Sequence, residues 1–277
     1  MSRFVTPDGI GLHWEEAGEG VPVLCLPGLT RSLEDFDEFT AAVNDRARVI
    51  RLTLRGRMGS DHAPDWRSYN IGQETQDVLA FLDHLGLDRV VVVGTSRGGL
   101  VAMTLAMVAR DKLAGVLLND VGPEIDRTGL HRIVDYVGHN PPYADHEEAA
   151  RGMAATFGPA FPDFTHDRWL HFVRRWWRQG PEGLEITYDP KMRDALVEQM
   201  QDLPDDIWPV FDALAGIPLA ILRGEHSDIL SAETFARMQA RRPDAIAVTV
   251  PDRGHVPVLD EPEALAAFDQ LLEQDIV

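Results

Sequence analysis

Apolar residues recur along this chain in two rhythms. Solid short runs, such as VPVLCL at 21–26, VVVV at 90–93, LAGVLL at 113–118 and IPLAIL at 217–222, have the length and makeup of strands buried on both faces. Between them the spacing changes. IGQETQDVLAFLDHLG at 71–86 places Ile71, Val78, Leu79, Phe81, Leu82 and Leu85 on one face of a helix. GGLVAMTLAMVAR, SAETFARMQARR and EPEALAAFDQLLEQ are further helices, and RVIRLTL and AIAVTV further strands. Strands alternating with helices predict an α/β fold, a mostly parallel sheet covered by helices on both faces. The opening runs RFVTPDG and IGLHWEEAGEG are broken by Gly and Pro at turn spacing, which predicts an antiparallel edge.

The alternation lapses between residues 123 and 207. No buried strand stands out there, and helical pieces rich in Trp, Arg and His, such as DRWLHFVRRWWRQG, are separated by Pro and Gly. This predicts a core of residues 1–122 and 208–277 with a helical insertion, 123–207, over the C-terminal edge of the sheet, where α/β folds place ligands. Within it Trp169, Phe172, Val173 and Trp176 fall at i, i+3, i+4 and i+7, a packed helix face from which one or two aromatics are expected to reach a pocket.

Charge narrows the partners. A net charge of −19 repels phosphate backbones and anionic lipid surfaces, so neither nucleic acid nor membrane is expected. The single cysteine, Cys25, sits in an apolar run and reads as a small buried hydrophobe. The first residues, MSRFVTPDG, lack the apolar core of a signal peptide, so the expected compartment is the cytoplasm. The pattern fixes no oligomeric state.

The chemistry gathers at GTSRG, residues 94–98, which fits G-x-S-x-G directly after a buried strand and before a helix. Such a turn holds a serine in strained backbone angles with its hydroxyl projecting outward, and it needs small neighbours. A serine hydroxyl becomes a nucleophile when a base takes its proton and a third group orients the base. Acid and histidine should follow the serine in that order, after later strands. IPLAILRGEHSDIL offers Glu225 and Asp228, and AIAVTVPDRGHVPVL offers His255. Glu225 is most simply a surface charge. His139, His146, His166 and His171 lack metal-ligand spacing, so no metal is assigned and no cofactor is expected.

With LPGLTRS, LRGRMGSD, GTSRGG, RGEHSDIL and GHVPVLDEPEAL in this order, the chain resembles the α/β-hydrolase superfamily nearly end to end. The resemblance implies an eight-stranded sheet with an inserted helical cap. It makes Ser96 the nucleophile, His255 the base, and Asp228 the orienting acid, with Asp120 after GVLLN the alternative acid. It also implies an oxyanion hole from the backbone N–H groups of Leu29 and Arg97. Two departures are visible. Pro27 stands where the family commonly has His, and Thr53 where it usually has an acidic residue.

The side chain of Arg97 has two readings: an ion pair with a nearby acid, or a contact to a substrate carboxylate that Arg174 and Arg175 could reinforce. Trp176, Trp177 and Val256 are the other candidate substrate contacts. The leading expectation is a serine hydrolase that forms an acyl-enzyme with a small or medium ester or lactone. The alternatives are a carbon–carbon bond hydrolase of diketone-type intermediates and a triad-bearing ligand-binding protein with little turnover.

Overall fold

The computed structural model describes residues 2–201 and 206–274. The chain opens with β1 (Ser2–Val5), β2 (Gly11–Ala17) and β3 (Val21–Leu26), then α1 (Asp37–Val43), β4 (Ala47–Leu52) and α2 (Ile71–His84). It continues through β5 (Val90–Thr95), α3 (Arg97–Val108) and β6 (Leu113–Asn119). The inserted segment carries α4 (Arg127–Tyr136), α5 (His146–Phe157), α6 (His166–Trp176), β7 (Trp177–Gln179), β8 (Leu184–Ile186) and α7 (Met192–Gln201). α8 (Trp208–Asp212) leads back to β9 (Leu219–Gly224), α9 (Ala232–Arg241), β10 (Ile246–Val250) and α10 (Pro262–Leu272).

Eight strands form one sheet in the order β1-β2-β4-β3-β5-β6-β9-β10. β1 with β2 and β2 with β4 run antiparallel, the edge expected from the opening Gly- and Pro-broken runs, and every other pairing is parallel. Alternate residues of the central strands feed two cores. Leu24, Leu26, Ile50 and Val92 pack with residues of α2, α3, α8 and α9. Val23, Cys25, Val49, Val91 and Val93 pack on the other face with α1 and α10. Burial pushes the Cys25 thiol pKa far above its usual value, in keeping with an inert hydrophobe.

Register brings the strand ends together. Leu26 lies opposite Gly94, Thr95 opposite Asn119, Asn119 opposite Leu222, and Gly224 opposite Val250. The residues that follow β3, β5, β6, β9 and β10 therefore share one edge of the sheet.

The inserted segment is mostly helical, as expected, but it also holds β7 and β8, a short antiparallel ribbon separate from the main sheet. Strands of three residues are too brief to give a readable apolar run. Residues 202–205 of the expected insertion lie outside the described residues. Its own apolar cluster contains Ala149, Ala150, Phe161, Trp169, Val173 and Leu184. Ion pairs tie it to the sheet domain on two sides. Arg168 grips Asp260 at 2.7 and 2.8 Å, and Arg253 holds Asp163 at 2.6 and 2.9 Å. Across the molecule, Arg175 and His171 of α6 reach Glu38 of α1 at 2.8 and 2.7 Å.

Candidate active site

Ser96 occupies the turn between β5 and α3 with φ 50° and ψ −114°, a conformation that L-residues adopt only under constraint. The constraint is close packing. A Cβ on Gly94 would lie 2.6 Å from the Gly98 carbonyl oxygen, and one on Gly98 would lie 2.0 Å from the Leu26 carbonyl oxygen. Only glycine lets α3 start this close to β3 and β5.

His255, in the loop after β10, places Nε2 3.0 Å from Ser96 Oγ. Its Nδ1 lies 2.7 Å from Oδ2 of Asp120, the residue that follows β6. The expected partner was Asp228, and the structure corrects this. The Asp228 carboxylate instead sits 2.5 Å from Arg132 Nη1 of α4, part-exposed at the cavity wall. The reason lies in the turn after β9. There Ser227 turns inward and donates Oγ–H to Asp120 Oδ2 at 2.7 Å, while the Gly224 N–H donates to Asp120 Oδ1 at 2.9 Å. The carboxylate of Asp120 is fully buried with three donors around it, so it is held as an acceptor for the imidazole. Asp120 itself has φ 56°, the aim its side chain requires.

The loop after β3 lies beside the serine. A Cβ on Gly28 would come within 3.9 Å of Ser96 Cβ. Among the described residues, the backbone N–H groups of Leu29 and Arg97 meet no acceptor in the loops and caps, which leaves both available to an oxyanion. Thr53, the departure from the family's acidic residue, is buried and accepts the Leu33 N–H at 3.0 Å, thereby pinning the far end of this loop.

The Arg97 side chain turns away from the site. Its Nε lies 2.6 Å from Glu74 Oε2 and its Nη2 3.0 Å from the Tyr69 carbonyl oxygen. Arg97 as a substrate contact is thus corrected, and the ion-pair reading holds. Glu74 is fully buried and also receives Arg57 Nη1 at 2.6 Å, while Arg57 Nε donates to the Leu29 carbonyl at 2.8 Å. One carboxylate therefore links the two residues whose N–H groups flank the serine. Burial pushes the Glu74 carboxyl up, but the two guanidiniums outweigh it and hold its pKa below the usual value. Sequence reasoning missed Glu74, although an acid between Ile71 and Val78 on the apolar stripe of α2 was a signal.

Above the serine lies a cavity of about 450 Å³, within the range of small-molecule sites. Trp176, Trp177 and Val256 line it, as do Trp169, Phe172 and Tyr136. Arg174 and Arg175 lie instead at a separate shallow hollow over α1, where Arg175 is engaged by Asp37 and Glu38. Outside the cavity, the described residues contain one exposed trio able to approach a metal ion, Glu225, His226 and Asp252, whose ligand atoms lie within 4.8 Å of one another. Glu225 is exposed, as its reading as a surface charge requires. Among the described residues no helix is long and apolar enough to cross a membrane.

A sequence profile of the alpha/beta hydrolase family matches residues 23–268. The chain belongs to this family of enzymes. It is 31% identical over 274 residues to a 3-hydroxybutyrate-oligomer hydrolase of Cupriavidus necator, covering 94% of this chain and 93% of that one. It is 25% identical over 256 residues to a 2-(acetamidomethylene)succinate hydrolase of Mesorhizobium japonicum, covering 92% and 88%. Its fold matches the crystal structure of an alpha/beta hydrolase from Novosphingobium aromaticivorans with a TM-score of 0.90 and 42% identity, over 98% of this chain and 97% of that one.

Proposed function

We propose that the protein is a serine-dependent carboxylic ester hydrolase acting on small or medium esters, with Ser96, His255 and Asp120 as its triad. The observation that carries this reading is the unbroken hydrogen-bonded line from Ser96 Oγ through His255 to Asp120, with His255 lining an aromatic-walled cavity.

Ser96 Oγ attacks the ester carbonyl as His255 Nε2 takes its proton, and the imidazolium is steadied by Asp120. The oxyanion is received by the N–H groups of Leu29 and Arg97, each such donor being worth about 3 kcal/mol in the transition state. Collapse expels the alcohol, protonated by His255, and leaves an acyl-enzyme. His255 then deprotonates a water that attacks the acyl carbon, and the acid departs as Ser96 regains its proton. The inserted segment acts as the lid that excludes bulk water and selects the substrate. The Cupriavidus relative named for 3-hydroxybutyrate oligomers supports ester chemistry, since such oligomers are joined by ester bonds.

The test is covalent labelling with a fluorophosphonate together with turnover of 4-nitrophenyl butanoate. Wild type is expected to label and to turn over, and Ser96→Ala to do neither. A wild-type protein that neither labels nor releases nitrophenol overturns the reading.

A further inference from the structure

The cavity holds a cation that the proposed triad does not use. Arg31 lies in the loop after β3, two residues beyond Leu29, and lines the cavity. Gly28 lies between its stem and the nucleophile: a Cβ on Gly28 would be 3.5 Å from Arg31 Cγ and 3.9 Å from Ser96 Cβ. From there the side chain rises to the inserted segment, where its guanidinium carbon sits 3.8 Å from the centre of the Trp176 ring. The ring face fixes the plane and direction of the guanidinium without using its N–H donors.

Those donors are only loosely engaged. Among the described residues Arg31 makes no side-chain hydrogen bond, and its nearest ionic neighbour is Asp35 Oδ2, 3.8 Å from Nε. The other arginine of the cavity wall, Arg132, is neutralised by Asp228 at 2.5 Å. Arg97 is committed to Glu74. Burial pushes the Asp35 carboxyl pKa up, and the charges of Arg31 and Arg175 oppose that rise. Burial pushes the Tyr188 phenol pKa up, and the Arg31 charge is among the groups that oppose this rise.

We propose that Arg31 binds a carboxylate carried by the substrate, so that the enzyme prefers esters with a free acid group a few bonds from the scissile carbonyl. This deepens, and rests on, the ester hydrolase reading. The single guanidinium can fork onto one carboxylate. The wall also carries Asp35, Asp135 and Asp228, which would repel a dianion. Arg31 lines the same cavity as His255, so the fitting substrates are those with the acid group close to the ester, such as a half-ester of a short diacid or an ester of a short hydroxy acid.

The matched pair for the test is monoethyl succinate and ethyl succinamate, which differ in a carboxylate against a neutral amide. Ethanol release is measured for wild type and Arg31→Met, which keeps the apolar stem against Trp176. Expected is a fall in kcat/KM on monoethyl succinate on the order of 10- to 100-fold, carried mainly by KM, the size of a lost charged hydrogen bond. On ethyl succinamate the fall should be several-fold smaller. Equal falls on both esters, or no preference for the acid in wild type, overturn the proposal. Titration calorimetry of the same two esters into Ser96→Ala protein separates this outcome from failure of the hydrolase reading. Tighter binding of the acid, erased by adding Arg31→Met, upholds the carboxylate contact even if wild type turns over neither ester. Equal binding of the two, or binding of neither, refutes it.

Discussion

Asp120 and Asp228 are two aspartates at the same edge of one sheet, and their fates diverge by one hydrogen bond. Ser227 is turned toward Asp120, and the residue after it is carried outward to Arg132. Asp120→Asn keeps the shape but presents an amide to His255 Nδ1, which favours the wrong tautomer. The expected loss in kcat is on the order of 10³- to 10⁴-fold. Asp228→Asn should cost far less, and steady-state turnover of 4-nitrophenyl butanoate by the two variants compares them directly. Ser227→Ala removes one donor from Asp120 and should give an intermediate loss. Ser96 and His255 were legible in the sequence because each stands in a motif whose local chain dictates its place. The acid was not legible in the same way. Both candidates follow buried strands in the required order, and the choice depends on the packing of the β9 turn against β6, a contact between segments about a hundred residues apart. Arg31 was hidden for a related reason, since nothing in LPGLTRS says that its guanidinium lacks an acceptor.

At the scale of elements, α2 supports the loop after β3 through Glu74 and Arg57. The two ion pairs of Glu74 are fully dry, and removing one partner of such a pair strands charge in the interior. Glu74→Ala should lose about 3–5 kcal/mol in denaturant unfolding. The milder Glu74→Gln should fold and lower kcat more than it raises KM, because the residues bearing the two N–H donors lose their common anchor; unchanged kcat would count against that positioning role. The clamp between α6 and α1 responds to pH. Burial raises the Glu38 pKa, but the hydrogen bonds from Arg175 and His171 outweigh it and leave it below the ordinary 4.5. A carboxylate with a depressed folded pKa stabilises above its unfolded value and loses that contribution as pH falls through the folded one. Glu38→Gln should therefore lower the thermal midpoint at pH 7, and the gap from wild type should narrow as the pH falls below 4.5 toward the lowered folded pKa. A gap that does not change with pH in the acid range would mean that Glu38 acts by packing alone.

For the whole molecule, the parallel sheet, its antiparallel edge and its covering helices were readable because burial on both faces writes solid apolar runs into β3, β5, β6 and β9. The β7–β8 ribbon and the arrangement of α4 to α7 were not, because short part-exposed elements take their places from each other more than from their own composition. The same division runs through the active site. Its floor takes residues from the end of β5 and from the loops that follow β3, β9 and β10, whereas most of its aromatic wall comes from the inserted segment. Gly98 shows what that separation entails. A methyl group at this position would collide with the carbonyl of Leu26, so the serine turn and the strand beside it are fitted to each other at the level of single atoms. Laboratory evolution toward new substrates thus has almost no room at the reacting centre and ample room above it. Reaction type and substrate choice can be inherited, exchanged or redesigned separately, with Arg31 at the seam between them.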